Sequence, residues 1–153
     1  MIYYIIKLIG SIPFRILYGL SDVLFVPFYY LVRYRRHIVR KNLTESFPNK
    51  SQREIVEIEK RFYHSFLDVA LETCKLLTLS KEEMMRRMRF VNVDAVNERV
   101  ERGQSVGLYL GHFGNWEWIS SLGLWLRPGI NKAQIFHKLQ NKTMNRLMTE
   151  LRE

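Results

Sequence analysis

Ser105-Val106-Gly107-Leu108-Tyr109-Leu110-Gly111-His112-Phe113-Gly114-Asn115-Trp116-Glu117 is the stretch that sets the expected architecture. Its first six residues make a short apolar run ending at glycine, the pattern of a largely buried strand. Gly111 and Gly114 flank His112-Phe113 and let the backbone turn tightly, and Asn115 is suited to cap a following helix. Strand, glycine turn and helix in succession open a βα unit.

Outward from this stretch the same alternation continues. Phe90-Val91-Asn92-Val93 alternates as a short strand, 94–102 reads as a helix ending at Gly103, and a helix over about 115–126 stops near Arg127-Pro128-Gly129. Ala133-Gln134-Ile135-Phe136 reads as a third strand, and 141–153 carries Met144, Leu147, Met148 and Leu151 at helical spacing. The expected fold class is therefore α/β, a partial βαβαβα parallel sheet preceded by a membrane-associated helical region. In that preceding region Ser51 and Glu54 have capping-box spacing, and so do Ser80 and Glu83 before a shorter helix through Arg87. Ile55, Ile58, Phe62, Phe66, Val69, Leu71, Cys74 and Leu77 approximate one buried stripe of a long helix, with His64 and Glu72 at its boundary.

The first 32 residues contain only Lys7, Arg15 and Asp22 as charged groups, and no small-residue cleavage site follows the apolar run. Residues 16–32 are just long enough for the roughly 30 Å hydrocarbon layer. Asp22 and Pro27 inside them leave an interfacial helix open beside an anchor that spans or nearly spans. Arg33, Arg35, Arg36, His37, Arg40 and Lys41 follow at once. Cations beside a hydrophobic segment stay on the cytoplasmic side, which places the rest of the chain there, at the cell inner membrane. The organisation expected is a hydrophobic anchor over 1–32, a helical region with a basic interface segment over 33–88, and an α/β core over 89–153.

Twenty-four Lys and Arg against 15 Asp and Glu give a formal charge of +9 over 153 residues, which favours anionic partners. Membrane lipid suits the basic block with tyrosines beside it better than nucleic acid, for which no recognition motif is present. The single cysteine, Cys74, excludes an intrachain disulfide and a cysteine metal cluster and reads as a packed thiol.

His112 carries the candidate chemistry. On a continuous helix His112 and Glu117 would stand about 140° apart, so the helix alone cannot pair them. With His112 on the loop and Glu117 in the first helical turn, the carboxylate can reach one imidazole nitrogen and leave the other to accept a proton. That makes His112 a general base for hydroxyl attack on an acyl carbonyl, with helix N–H groups nearby for an anion. No second histidine stands at ligand spacing, so no metal and no cofactor are expected. Trp116 and Trp118 read as core or interface aromatics, with an acyl groove as the alternative.

The string Gly111-His112-Phe113-Gly114-Asn115-Trp116-Glu117 resembles the H-x4-D/E motif of the lysophospholipid acyltransferase superfamily, in its lipid A lauroyl/myristoyl acyltransferase branch. The N-terminal anchor, Arg40-Lys41-Asn42-Leu43 leading to Phe47-Pro48, the long helix and the strand before the motif resemble that family in order over essentially the whole chain. The resemblance implies His112 as base with Glu117 as partner, an acyl thioester on acyl carrier protein or CoA as donor, and a lipid A precursor hydroxyl as acceptor. A glycerophospholipid or aminolipid acceptor, or an inactive membrane-anchored remnant, are the alternatives. Phe136-His137-Lys138-Leu139-Gln140-Asn141 is similar to a second family block in which Arg and Pro are common where His137 and Lys138 stand. It implies His137, Lys138, Asn141 and Arg152 as substrate-binding candidates, beside Asn115 of the first motif. Family members run about twice this length, so the resemblance implies correspondence to the N-terminal half.

Overall fold

The computed structural model describes residues 2–152, without the side chains of 151 and 152. In chain order the α-helices are α1 (Ile2–Ser11), α2 (Phe14–Val26), α3 (Arg36–Ser46), α4 (Gln52–Leu76), α5 (Lys81–Arg87), α6 (Val93–Glu101) and α7 (Lys142–Arg152). Pro27–Val32 continues α2 in π-helical turns, and Trp116–Leu124 is a 3-10 helix.

No strand occurs among the described residues, which corrects the expected parallel sheet. Phe90-Val91-Asn92 and Ala133-Gln134-Ile135-Phe136 form no ladder, Val93 begins α6 instead, and the run 105–110 is likewise unladdered. The physical reason is that alternation is a local property, whereas a strand exists only when its N–H and C=O groups find a neighbouring strand. Tyr109 at 99% and Ile135 at 102% exposure stand in the open, so these segments have the composition of buried strands without the burial.

The chain divides into two compact units, Ser11–Glu72 and the pair Met1–Gly10 with Thr73–Glu153. In the first, α2 buries Phe14, Leu17, Ser21 and Phe25 along one stripe, and Tyr29 extends it through the π-helical turns. Pro27 lacks an N–H, which disrupts the ordinary α ladder there, and Arg33 N–H instead reaches back five residues to Phe28 O at 3.0 Å. Arg33 and Arg35 both adopt left-handed backbone, turning the chain sharply into α3. Tyr63 Oη holds that turn by donating to Tyr34 O at 2.5 Å.

The α4 capping box forms as expected. Glu54 N–H donates to Ser51 Oγ at 3.4 Å, Ser51 N–H donates to Glu54 Oε2 at 2.9 Å, and the hydroxyl donates to the same oxygen at 2.8 Å. These bonds, led by the Ser51 backbone N–H, bring the Glu54 carboxyl down to about 2. The buried stripe of α4 is phased one residue away from the expected one: Ile55, Glu59, Tyr63 and Leu67 are buried, whereas Phe62 and Phe66 are exposed. Phe25, Tyr29, Tyr63 and Leu67 form the core, with Phe28 and Val39 packed against it.

Glu59, fully buried, is the polar centre of this unit. Tyr29 Oη and Arg36 Nε each donate to its Oε1 at 2.8 Å, Arg40 Nη2 does so at 2.9 Å, and Arg40 Nε donates to Oε2. Burial pushes the Glu59 carboxyl up, but the bonds from Arg40, Tyr29 and Arg36 outweigh it and hold it below the ordinary value. Two cations of the basic segment are thus committed to an internal carboxylate.

In the second unit, Thr78 Oγ1 donates to Gly10 O at 2.6 Å, and a Cβ on Gly10 would collide with the Cys74 carbonyl. Only glycine allows that approach. Lys7 Nζ meets Glu150 Oε1 at 2.6 Å, and Tyr3 Oη donates to the same carboxylate at 2.9 and 2.7 Å, joining α1 to α7. α6 ends as expected at Gly103, in left-handed backbone, with Gln104 N–H on Arg99 O and Gly103 N–H on Val100 O. Buried Asn97 accepts Arg127 N–H at 3.1 Å, and the Arg127 guanidinium donates to both Glu101 oxygens at 2.5 and 2.6 Å. These bonds fix the turn that follows the 3-10 helix.

Candidate active site

His112 sits where the sequence placed it, on the loop before a helical turn. Phe113 N–H donates to Gly111 O at 2.9 Å, closing a three-residue turn with His112 at its apex. Gly114 takes φ +57°, so the chain reverses there at little steric cost. The imidazole is exposed and meets the Trp116 indole edge-to-face at 4.5 Å between centroids. A side chain at the apex of a tight turn, with one face beside an aromatic ring, is open to solvent while its swing is limited.

Glu117 lies in the first turn of the 3-10 helix and is buried. The two residues come to the same loop–helix junction, where the ring contact of His112 is with Trp116. Asn115 occupies the cap position, with Trp118 N–H on its carbonyl at 3.3 Å. Its side chain makes no capping bond, contrary to the expected role. The helix is 3-10 over Trp116–Leu124 rather than α over 115–126. Ser120 and Ser121 hydroxyls donate to the Glu117 and Trp118 carbonyls at 2.8 and 2.6 Å, bonds that compete with α geometry.

The second block lies in the same unit. His137 and Lys138 are exposed. Asn141 has a structural task, since its Oδ1 accepts Met144 N–H at 3.0 Å at the start of α7. Asn145 Oδ1 accepts Leu139 N–H at 2.9 Å, tying the block to the helix. Lys138, Leu139, Gln140, Lys142, Asn145 and Arg146 line an open depression of about 520 Å³. No carboxylate lines it, and the N-terminus of α7 opens there, so the depression suits an anion. The Arg152 side chain lies outside the described residues.

Lys142 and Arg146 were not among the residues singled out from sequence. Their signal was present, because Lys142 and Arg146 stand four apart at the start of α7, on one face of the helix, and Lys138 lines the same depression. Among the described residues no group of three or more His, Cys, Asp or Glu is arranged to hold a metal ion.

A family model described as bacterial lipid A biosynthesis acyltransferase matches residues 1–153. No curated protein and no solved structure matches the chain.

Proposed function

The chain belongs to the bacterial lipid A biosynthesis acyltransferase family and is an acyltransferase, and from that premise we propose how it transfers its acyl group. The donor is an acyl thioester, on acyl carrier protein or CoA, and the acceptor is a hydroxyl of a lipid A precursor. His112 takes the hydroxyl proton as the oxygen attacks the thioester carbonyl. The new C–O bond forms, the C–S bond breaks, and the departing thiolate recovers the proton from the imidazolium. Glu117 orients the imidazole and stabilises its charged form once substrate closes the junction.

Lys138, together with Lys142 and Arg146, holds a substrate phosphate, and Asn141 acts indirectly by fixing the start of α7. His137, Asn115 and Arg152 complete the substrate contacts. The reaction occurs at the cytoplasmic face of the inner membrane. The observation that carries this reading is an exposed histidine at the apex of a glycine turn, five residues before a buried glutamate, in a chain of this family.

The test is acyl transfer from acyl carrier protein thioester, and separately from acyl-CoA, to a lipid A precursor and to a lysophospholipid, using the wild-type chain and His112→Ala. Turnover on the lipid A precursor that His112→Ala abolishes supports the assignment. Equal rates for the two proteins remove His112 from the chemistry.

A further inference from the structure

Phe14–Val32 is long and apolar enough to cross a bilayer, with a mean hydropathy of 1.3 over its best window. Its packing argues against a crossing. Within the unit Ser11–Glu72, contacts from Tyr18 to Tyr29 run antiparallel to α4. Tyr18 Oη donates to Glu72 Oε1 at 2.7 Å, His64 Nδ1 lies 3.5 Å from Asp22 Oδ1 with its ring stacked on Phe25, and Tyr29 Oη donates to Glu59. Wherever this segment goes, the stretch of α4 between Glu59 and Glu72 goes with it.

That stretch carries Lys60, Arg61, His64 and Asp68, of which Arg61 is exposed. Asp22 on α2 is exposed as well, at 75% of its side chain. A perpendicular insertion would carry these groups into hydrocarbon, where ionised side chains are strongly disfavoured. The opposite face of α2 has the other character. At 100° per residue, Ile16, Val23 and Val26 fall on the side away from Leu17, Ser21 and Phe25, and all three are exposed. A Cβ on Gly19, on the same face, would meet nothing. Exposed Arg33 and Arg35 stand at the end of this face.

We infer that α2 lies in the plane of the membrane surface, its Ile16–Val23–Val26 face dipped into an anionic phospholipid interface and α4 turned to water. Charge complementarity selects the occupant: Arg33 and Arg35, at the end of the apolar face, meet lipid phosphates. Both ends of the segment then remain on one side of the bilayer. This rests on the membrane reading proposed above and specifies its geometry.

The experiment uses the full chain in a Cys74→Ser background, with Ser11→Cys and His37→Cys bracketing the segment. Each is exposed to a membrane-impermeant maleimide in sealed inside-out inner-membrane vesicles and in right-side-out vesicles. An in-plane helix gives labelling of both sites in the first preparation and of neither in the second. Labelling of one site from each side overturns the inference. A nitroxide at Val23→Cys reads depth independently in phosphatidylethanolamine–phosphatidylglycerol vesicles. It is expected about 5–10 Å below the head groups, and a position at the bilayer centre overturns the inference as well. If the protein fails to sediment with these vesicles, the membrane reading itself falls, whatever the acyl-transfer assay shows.

Discussion

The unit Ser11–Glu72 and the stretch 103–141 put their polar and apolar groups to opposite uses. In the first, a fully buried carboxylate is met by a tyrosine and two arginines, and aromatic rings close over one another. In the second, Tyr109, Phe113 and Ile135 are almost wholly exposed, Lys138 lines an open depression together with two cations of α7, and a histidine stands at the tip of a turn. Buried, satisfied polar networks specify a rigid structure, whereas groups left facing solvent remain available to a ligand. The first unit closes around its polar groups, and the second stretch leaves its own facing solvent.

The sharpest way to break this comparison is at His112. His112→Ala is expected to lower acyl transfer by about 10²–10⁴-fold while leaving the unfolding midpoint in denaturant unchanged. A stability loss equal to the activity loss would mean that His112 holds structure. Glu59→Gln probes the other side, because it leaves Arg36 and Arg40 without their counter-charge. A destabilisation of about 3 kcal/mol is expected, seen in urea unfolding and in faster amide exchange of α2 and α4. The same carboxylate predicts a pH dependence. Its folded value is depressed, so its contribution is complete above its unfolded value and is lost as pH falls through the folded one. Acid unfolding of Ser11–Glu72 should therefore begin below the ordinary carboxylate value of 4.5, and Glu59→Gln should flatten that limb.

Gly10→Ala tests whether the second unit also has a rigid part away from its reactive stretch. The added methyl meets the Cys74 carbonyl, and a loss of about 2 kcal/mol is expected, with exchange quickened around Thr78 and acyl-transfer KM little changed. The smallest effect is at the start of α4. Ser51→Ala should return the Glu54 carboxyl from about 2 toward its ordinary 4.5 in a carbon-detected NMR titration. In the wild type the cap contributes fully above 4.5 and fades as pH falls toward about 2. An unmoved titration would show that the box contributes nothing in solution.

Local chemistry in this chain was readable from sequence, and long-range pairing was not. Ser51 with Glu54, Ser80 with Glu83 and the terminator at Gly103 each involve groups within a few residues, and each forms as expected. The loop placement of His112 and the first-turn placement of Glu117 follow from the same short-range reasoning. The strands failed because Leu108, Tyr109 and Ile135 announce β composition without saying what they would pair with. The α4 stripe was misphased because counting only apolar residues omits Glu59, which belongs to the buried row by its four-residue interval from Ile55 and Tyr63. A carboxylate on a buried row, with Arg36 and Arg40 themselves four apart, is a signal of a different kind: three charges whose spacing matches across two helices.

The Trp116 contact with His112 gives the molecule an optical reporter. All three tryptophans of the chain, Trp116, Trp118 and Trp125, lie between the candidate base and the turn at Pro128, so intrinsic indole emission originates wholly from this neighbourhood. An imidazolium quenches a neighbouring indole far more than a neutral imidazole does, and the two rings are 4.5 Å apart. Emission from the unmodified protein therefore carries a signal of the protonation state of His112, and a donor or acceptor that changes that state on binding leaves its mark in the light.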